Sequence, residues 1–576
     1  MFGASAFGEF AFSEFVDTPL DSAAWQAFLD NPAIERCWLV EFDAFSLATV
    51  STRSSAFGDA GFGELGFSDA DAGVTGGVQT LRFGSHDYIS RIFTGGVAGG
   101  DPDYTDAYRG RVIVDSVHVD RRITSRSGLG GIAEVFAEVR LLNGDGGLDE
   151  LKGNYSLDGR RAQIWLGSPT WQRADFGLLF SGVVRSYNIG LDVAEFTLSD
   201  GKSKLDRPVN QTVYAGSGAL EGGADLKGKS KPRAFGALSY GNVAPPLVDS
   251  SKLIYQVNDG AISDVPVVYD RGIVLTQGAD YTDAADLNAS APSAGQYRVY
   301  KGGGYFRLGS TPSGEITADV LGDASGSGYV AKTGEIVQRL LIDTVGLTNS
   351  ELDPTSIAQI NGDQPAPVGT WIPAGDQRSV ADVVDELLFG IGAFGGFNRQ
   401  GAFTVGVIAS PVGRTPLADF TATHILDLRR EAMPAGVEPI AWRASVGYQR
   451  NFTVQTDLAS GVTAARRTFA AEAQRVVKYD DSSIATRFLL AKEYGPIPGL
   501  FSASADADTE ASRLFTLWSD TRRGIFTVTL KLTALTRDIG QVVTLQLSRQ
   551  GLSVALPARV LEQTVRGNRV ELKVLV

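Results

Sequence analysis

The chain has 576 residues, 43% of them hydrophobic, which is enough for several buried cores and about three to five domains. Its 68 glycines, 9% aromatics and 20% charged residues point to turn-rich β structure and exclude a disordered chain. The formal charge of -14 argues against a nucleic-acid binder, and the single cysteine, Cys37, excludes an intramolecular disulfide or a cysteine-built zinc or iron–sulfur site.

Residues 1–35 form a Phe- and Gly-rich extension without a basic, apolar leader pattern, so no signal peptide is expected. Within it, Ser-Ala-Phe-Gly-Glu-Phe-Ala-Phe-Ser-Glu at 5–14 is echoed by Ser-Ala-Phe-Gly-Asp-Ala-Gly-Phe-Gly-Glu at 55–64. Such segments are sticky unless a core or a partner covers them. Between the echoes, residues 22–29 predict a short amphipathic helix and 36–42 a strand. From about 79 to 200 the pattern is largely β, with alternation at 112–119, 133–141, 162–166, 178–184 and 193–198. Strands separated by turns, with no intervening helices, predict an antiparallel barrel or sandwich.

Short strands return at 253–257, 265–269, 297–300, 305–308 and 316–320. A different pattern then occupies 334–408. Ile336, Val337, Leu340, Leu341 and Val345 share one helical face, with Thr333 as the expected cap and Gly346 as the stop. A Pro- and Gly-rich loop is expected over 348–375. Ser379 and Asp382 form a capping-box-like start to a second helix, which runs into a hairpin turning at 398–401. Beyond it, 440–455 predicts a strand and 505–519 a helix burying Leu514, Leu517 and Trp518. Four strands close the chain at 525–535, 541–547, 558–565 and 569–576, the last with Val570, Leu572, Val574 and Val576 on one face. The expected class is mainly β with small α+β insertions. The expected units are the extension 1–35, a β-barrel domain 36–206, an inserted β domain 207–328, a helix–helix–hairpin domain 329–424, and a second β-barrel domain 425–576 with an inserted helix.

The motifs that invite chemistry fail on context. Asn143 to Asp149 superficially resembles a calcium loop, but it lacks a side-chain ligand at the fifth position and has Asn154 where the twelfth-position Glu belongs. Residues 128–132 are too short for a dinucleotide fingerprint. Gly223 to Ser230 matches the phosphate-loop pattern in full, yet no apolar strand precedes it and Pro232 disfavours the helix that should follow. His86, His118 and His424 lack ligand spacing, and no HExxH, CxxC or nucleophile elbow occurs. The expectation is therefore no catalytic, cofactor-binding or metal residues, no cofactor and no enzyme. A glycosidase-type carboxylate pair could not be picked out of so many acids.

Three ordered blocks resemble a known family. Leu-Leu-Asn-Gly-Asp-Gly-Gly-Leu-Asp at 141–149, with 159–167 and 180–184, is similar to the N-terminal barrel of the baseplate hub (tail-tip hub) proteins of long-tailed, siphovirus-type bacteriophages. Residues 227–233, 255–260 and 305–312 resemble a second block of one subfamily. Residues 446–455, 539–543 and 549–552 resemble a third. Together they cover most of 110–576, and the first hundred residues depart from the pattern. The resemblance implies a structural hub of the tail tip, with two tail-tube-like barrels per subunit, so that three subunits offer a pseudo-sixfold ring to the tube. The implied partners are two further copies of the chain, a distal tail protein or tube ring, a tape measure protein and central fibre or tip proteins. DNA would meet it only in passage, along an acidic lumen that repels phosphates. No stable membrane association is expected before ejection. The implied location is the distal end of the virion tail, after synthesis in the host cytoplasm. Some relatives carry an iron–sulfur site or a fused cell-wall hydrolase; Cys37 alone and the lack of a spare domain argue against both here. The alternatives are a distal tail or fibre-attachment protein, for which sixfold symmetry would speak, and a carbohydrate-binding or cell-wall-degrading β-protein.

Overall fold

Alternating apolar residues dominate the ends of the chain, and they assemble into one large sheet. The computed structural model describes residues 22–31, 33–46, 78–91, 104–125, 128–432, 440–520 and 523–576. The two Phe-Gly echoes at 5–14 and 55–64 lie outside the described residues. The sheet's main run is antiparallel. It passes from Val78–Gly84 through Cys37–Ser46, Arg161–Gly167, Gly177–Ile189, Val193–Ser199 and Gly128–Leu142 to His118–Ser125. From there it continues into Leu556–Arg566, Arg569–Leu575, Ile525–Leu530 and Ile425–Glu431. The β strands expected near either end of the chain are therefore hydrogen-bonded to each other.

No ring of paired strands closes into a barrel among the described residues. Between Val78–Gly84 and Gly128–Leu142 the link is short: Phe83 and Gly84 pair in parallel with Arg109 and Gly110, and Val112 bridges to Leu141. Arg111 and Val112 N–H both donate to Gly84 O at 2.8 Å, and Leu142 N–H donates to Arg111 O at 2.8 Å.

The sheet's inward residues build one core from both ends of the chain. Trp25 and Phe28 of the helix Ala23–Asp30, capped by Ser22, join Trp38, Phe42, Phe196 and Val574 in it. Phe42 stacks on Phe196 with centroids 4.6 Å apart. Each such side chain contributes about 1.5–3 kcal/mol on burial. In the last strand Val570, Leu572 and Val574 are fully buried while Arg569 and Glu571 are exposed, as the period of two requires.

Several expectations need correction. The strand expected over 112–119 is broken by a 3-10 turn at Val114–Ser116: Val112 makes only a bridge to Leu141, and a strand begins at His118. Ser116 Oγ donates to Ile113 O at 2.6 Å, a local bond that competes with the ladder. The strand expected over 525–535 ends at Leu530, and Leu532–Thr536 is a 3-10 turn. The strand expected over 440–455 ends at Tyr448, where Gln449 adopts φ 46° and turns the chain. Asn451 Nδ2 then holds the loop through the carbonyls of Ala470 and Glu472, both at 3.0 Å.

The inserted region around 233–323 carries two small sheets, one on Arg233–Val243, Ile262–Asp270 and Ile316–Asp323, the other on Ile254–Gln256, Gln296–Tyr300 and Tyr305–Leu308. A strand from further along, Gly369–Ile372, completes the first.

In the central module the helix Thr333–Arg339 continues as a π turn, Leu340–Val345, and stops at Gly346 in the left-handed region. Lys332, not Thr333, occupies the cap position, and Glu335 Oε2 accepts its N–H at 3.2 Å. The supposed loop 348–375 holds a helix, Pro354–Asp363, capped by Asp353 with Pro354 at its first position. Ser379 caps Val380–Phe389 as expected, and the hairpin Ala393–Phe397/Phe403–Val407 turns at 398–401. This module shares its core with the helix Ser504–Trp518 and with a sheet of Arg475–Asp480, Ala441–Tyr448 and Lys492–Phe501. The insertion in the C-terminal region is thus a small α/β unit rather than a lone helix.

Candidate functional site

The strand Leu556–Arg566 is where the two ends of the chain meet. One edge pairs with Arg569–Leu575 along most of its length. The other edge is divided: Leu556 to Arg559 face Val542–Leu545, and Glu562 to Arg566 face His118–Ser125. At the handover Val560 exchanges bonds with Gly540 N and Gln541 O at 2.8 and 2.9 Å. The register Glu562 opposite Arg122, Thr564 opposite Asp120 and Arg566 opposite His118 sends these six side chains to one face. Arg121 and Gln563 go to the other.

On the inner face a buried polar cluster separates two apolar cores. Gln563 Oε1 accepts from Arg399 Nη2 at 3.0 Å and from Arg121 Nη1 at 3.4 Å. Its Nε2 donates to Ala534 O and Leu535 O, both at 3.3 Å, and to Arg537 O. Asp538 faces both guanidiniums, 3.4 Å from Arg399 Nε and 3.8 Å from Arg121 Nη1. Burial pushes the Arg121 guanidinium down to about 10; Asp538 opposes that shift and the neighbouring Arg399 adds to it. The cluster ties together strands from both ends, the turn of the central hairpin and the loop after Leu532–Thr536.

The outer face is charged and internally paired. Asp120 accepts from Arg122 Nε at 3.0 Å and from Thr564 Oγ1 at 3.3 Å, and Lys573 Nζ lies 3.3 Å from Glu562. His118 is held below its usual pKa, first by burial and then by Arg566, and its Nε2 has no hydrogen-bond partner. Acid and base alternate across the seam, and their mutual pairing leaves little for a ligand to grip.

The residues singled out from the sequence are not gathered here. Cys37 is fully buried and its thiol is pushed up to about 11 by burial, an inert state. His86 Nε2 pairs with Glu35 at 3.0 Å, and His424 Nδ1 accepts Thr421 N–H at 3.2 Å. Among the described residues no group of three His, Cys, Asp or Glu side chains could hold a metal ion. In the turn 143–149 Asn143 bonds Leu148 N at 2.8 Å and Asp149 at 2.9 Å, while Arg111 takes Asp145 and holds its carboxyl below the usual range. Two N–H groups of the phosphate-loop match are already taken by backbone carbonyls, Gly228 by Tyr214 O and Lys229 by Leu226 O, both at 2.9 Å, and the adjoining Lys231 N–H goes to Thr212 O at 2.8 Å. A strand, Arg233–Val243, follows it instead of a helix. The residues that sequence reasoning missed are Arg121, Arg399, Gln563 and Asp538. Their trace was there, because Arg121 and Gln563 are polar residues at inward positions of otherwise apolar strands.

No family model matches the chain, and no curated protein matches it. The solved structures it is similar to are phage tail and baseplate proteins and their relatives. One is a tail protein from Neisseria meningitidis MC58, at 9% identity over 85% of this chain and 96% of that one, with a TM-score of 0.37. Another is the 43 kDa tail protein of prophage MuSo2 from Shewanella oneidensis, at 8% identity over 82% and 95%, with a TM-score of 0.38. A third is a chain of the virion of a native gene transfer agent particle, at 16% identity over 65% and 91%, with a TM-score of 0.39.

Proposed function

We propose that this chain is the structural baseplate hub of a phage tail tip, acting by assembly rather than catalysis. Three copies form a ring that ends or extends the tail tube and adapts it from sixfold to threefold symmetry. The observation that carries this is the seam: one subunit holds two β regions, about 36–206 and 425–576, fused edge to edge through Leu556–Arg566. Such a subunit offers two tube-like halves to a six-membered ring at a fixed spacing. The ordered sequence resemblance supports the same assignment. The charged outer face lines the passage, where paired charges and an overall charge of -14 keep DNA phosphates from adhering. Partners are a distal tail protein or tube ring above, the tape measure protein, and central fibre or tip proteins below. The location is the distal end of the tail.

The test is native mass spectrometry of the purified chain together with an electron-microscopic reconstruction of particles carrying it in tagged form. A trimer with threefold density at the tail tip is expected, each contact burying more than the roughly 1,600 Å² of an ordinary interface. A persistent monomer, or sixfold density, would overturn the assignment.

A further inference from the structure

A turn is the usual place for Gly, Pro, Asn, Asp or Ser, and the turn at 488–491 holds none of them. Phe488 N–H donates to Ile484 O at 2.8 Å, at the end of the short helix Ser482–Arg487, and Ala491 N–H donates to Phe488 O at 2.9 Å. The second bond makes Leu489 and Leu490 the two central residues of the turn. They are 90% and 76% exposed. The strand Lys492–Phe501 follows at once, so both flanks of the tip are fixed by hydrogen bonds. A lone exposed apolar side chain needs no explanation; Leu191, 89% exposed, stands singly in a hairpin turn beside Asp192. Two adjacent leucines at the apex of a turn are different, because they keep a continuous apolar surface in water.

The charges around the tip discriminate among partners. The six residues from Arg487 to Lys492 carry two cations and no acid, in a chain whose formal charge is -14. Arg487 is exposed; its guanidinium donates to Ser483 O at 3.3 Å and to Ser483 Oγ at 3.2 Å. Neither Arg487 nor Lys492 makes an ion pair among the described residues. The acids on either side are engaged elsewhere. Asp481 caps the helix through Ser483 N at 2.9 Å, and Asp480 and Glu493 lie 3.7 and 3.6 Å from the two Nη atoms of Arg443. An apolar apex with cations at its base matches the layering of an anionic bilayer, acyl chains within and phosphates at the surface. A bilayer also demands no shape complementarity, which a two-residue turn does not offer. In a ring of copies related by a rotation axis the tips lie in one plane. A flat bilayer meets all of them together, and single weak contacts then reinforce one another.

We propose that the Leu489–Leu490 turn is a contact site for an anionic phospholipid surface, its leucines at the acyl boundary and Arg487 and Lys492 on the lipid phosphates. The site stands on the turn itself; only the number of tips acting together rests on the hub reading.

The test is flotation of the full chain with vesicles of phosphatidylcholine alone and with phosphatidylglycerol added, beside native mass spectrometry of the same preparation. The chain should float with the anionic vesicles and hardly at all with the neutral ones. L489S should weaken binding about tenfold, the scale of one leucine returned to water, and L489S/L490S should abolish it. R487Q/K492Q should remove the preference for anionic vesicles, about fivefold for each charge. All four side chains are exposed, so circular dichroism and the oligomeric state should not change. Vesicle binding that survives L489S/L490S, or a chain that ignores both kinds of vesicle, would overturn the proposal. So would loss of the oligomer in L489S/L490S, which would assign the turn to a neighbouring copy. A chain that floats through its leucines yet stays monomeric would uphold the lipid site and refute the trimeric hub.

Discussion

Replacing Gln563 by leucine tests the seam with almost no change of volume. Gln563 is 1% exposed and is the shared acceptor of Arg399 at 3.0 Å and, more weakly, of Arg121 at 3.4 Å. Its amide also serves three backbone carbonyls from Ala534 to Arg537. Leucine removes all of these while the guanidiniums keep Asp538 and the carbonyl of Leu179. A hydrogen bond to a charged group is worth about 1.5–3 kcal/mol, and a carbonyl left unpaired in the interior adds about 1–3 kcal/mol when water cannot reach it. With partial relaxation, a net loss of about 3 kcal/mol is expected from a total of about 5–15 kcal/mol for a domain. The urea midpoint should fall by about 1–2 M. Thr564→Val on the opposite face loses one part-buried bond of 3.3 Å to Asp120, which keeps its bond from Arg122, and should cost only about 1 kcal/mol. Equal effects from the two substitutions would refute the claim that the inner cluster holds the two β regions together.

Leu387→Asp places a charge in the central core, where Leu387 is 1% exposed; a loss of several kcal/mol is expected and would be seen as insoluble protein on expression, whereas soluble, folded mutant would show that this helix is not anchored by that face. Lys229→Ala should leave assembly unchanged and nucleotide binding by isothermal titration undetected in both forms, because the N–H groups of Gly228 and Lys229 are already bonded to backbone carbonyls. For His118 the folded pKa lies below the unfolded value of about 6.5, so the unfolded state binds the proton first as pH falls. Its contribution is present above that value and is lost on acidification from about pH 6.5 down through the folded pKa. Melting curves should show that His118→Gln flattens this part of the pH profile; an unaltered slope would assign it to other groups.

What was legible in the sequence was local. The alternation of Val570, Leu572 and Val574 announced the last strand, and Ser379 with Asp382 announced a helix start, because both signals lie within a few residues. The helix Pro354–Asp363 was lost in a stretch rich in Pro and Gly, although Asp353-Pro354 is itself a helix-start signal. Thr355, Ser356, Asn361 and Gly362 have low helix propensity, and packing of Ile357 and Ile360 overrides it. The overlong strand at 440–455 failed because nothing in its alternation marks Gln449 as left-handed. The seam was out of reach for a different reason. Arg121 and Gln563 are 442 positions apart, and pairing over that distance leaves no periodic mark. It leaves only the anomaly of two polar residues on apolar faces.

That anomaly links the seam's stability to the character of its surface. Side chains alternate across a strand, so a slip of one residue between His118–Ser125 and Leu556–Arg566 would exchange the two faces. Relative to one strand, Arg122 and Asp120 would then oppose the positions of Gln563 and Val565, and the buried guanidiniums would lose their shared acceptor. Each charged hydrogen bond lost to Gln563 costs about 1.5–3 kcal/mol, and a slipped ladder, which remakes only the same kind of backbone bonds, regains none of it. The buried cluster therefore selects the register, and the register in turn sets which charges line the outer face from one β region to the other. A flexible linker between the two regions could supply neither the fixed spacing nor the continuous face. A shared strand with a polar lock beneath it supplies both, and this is the physical reason to regard the two ends of the chain as one rigid body.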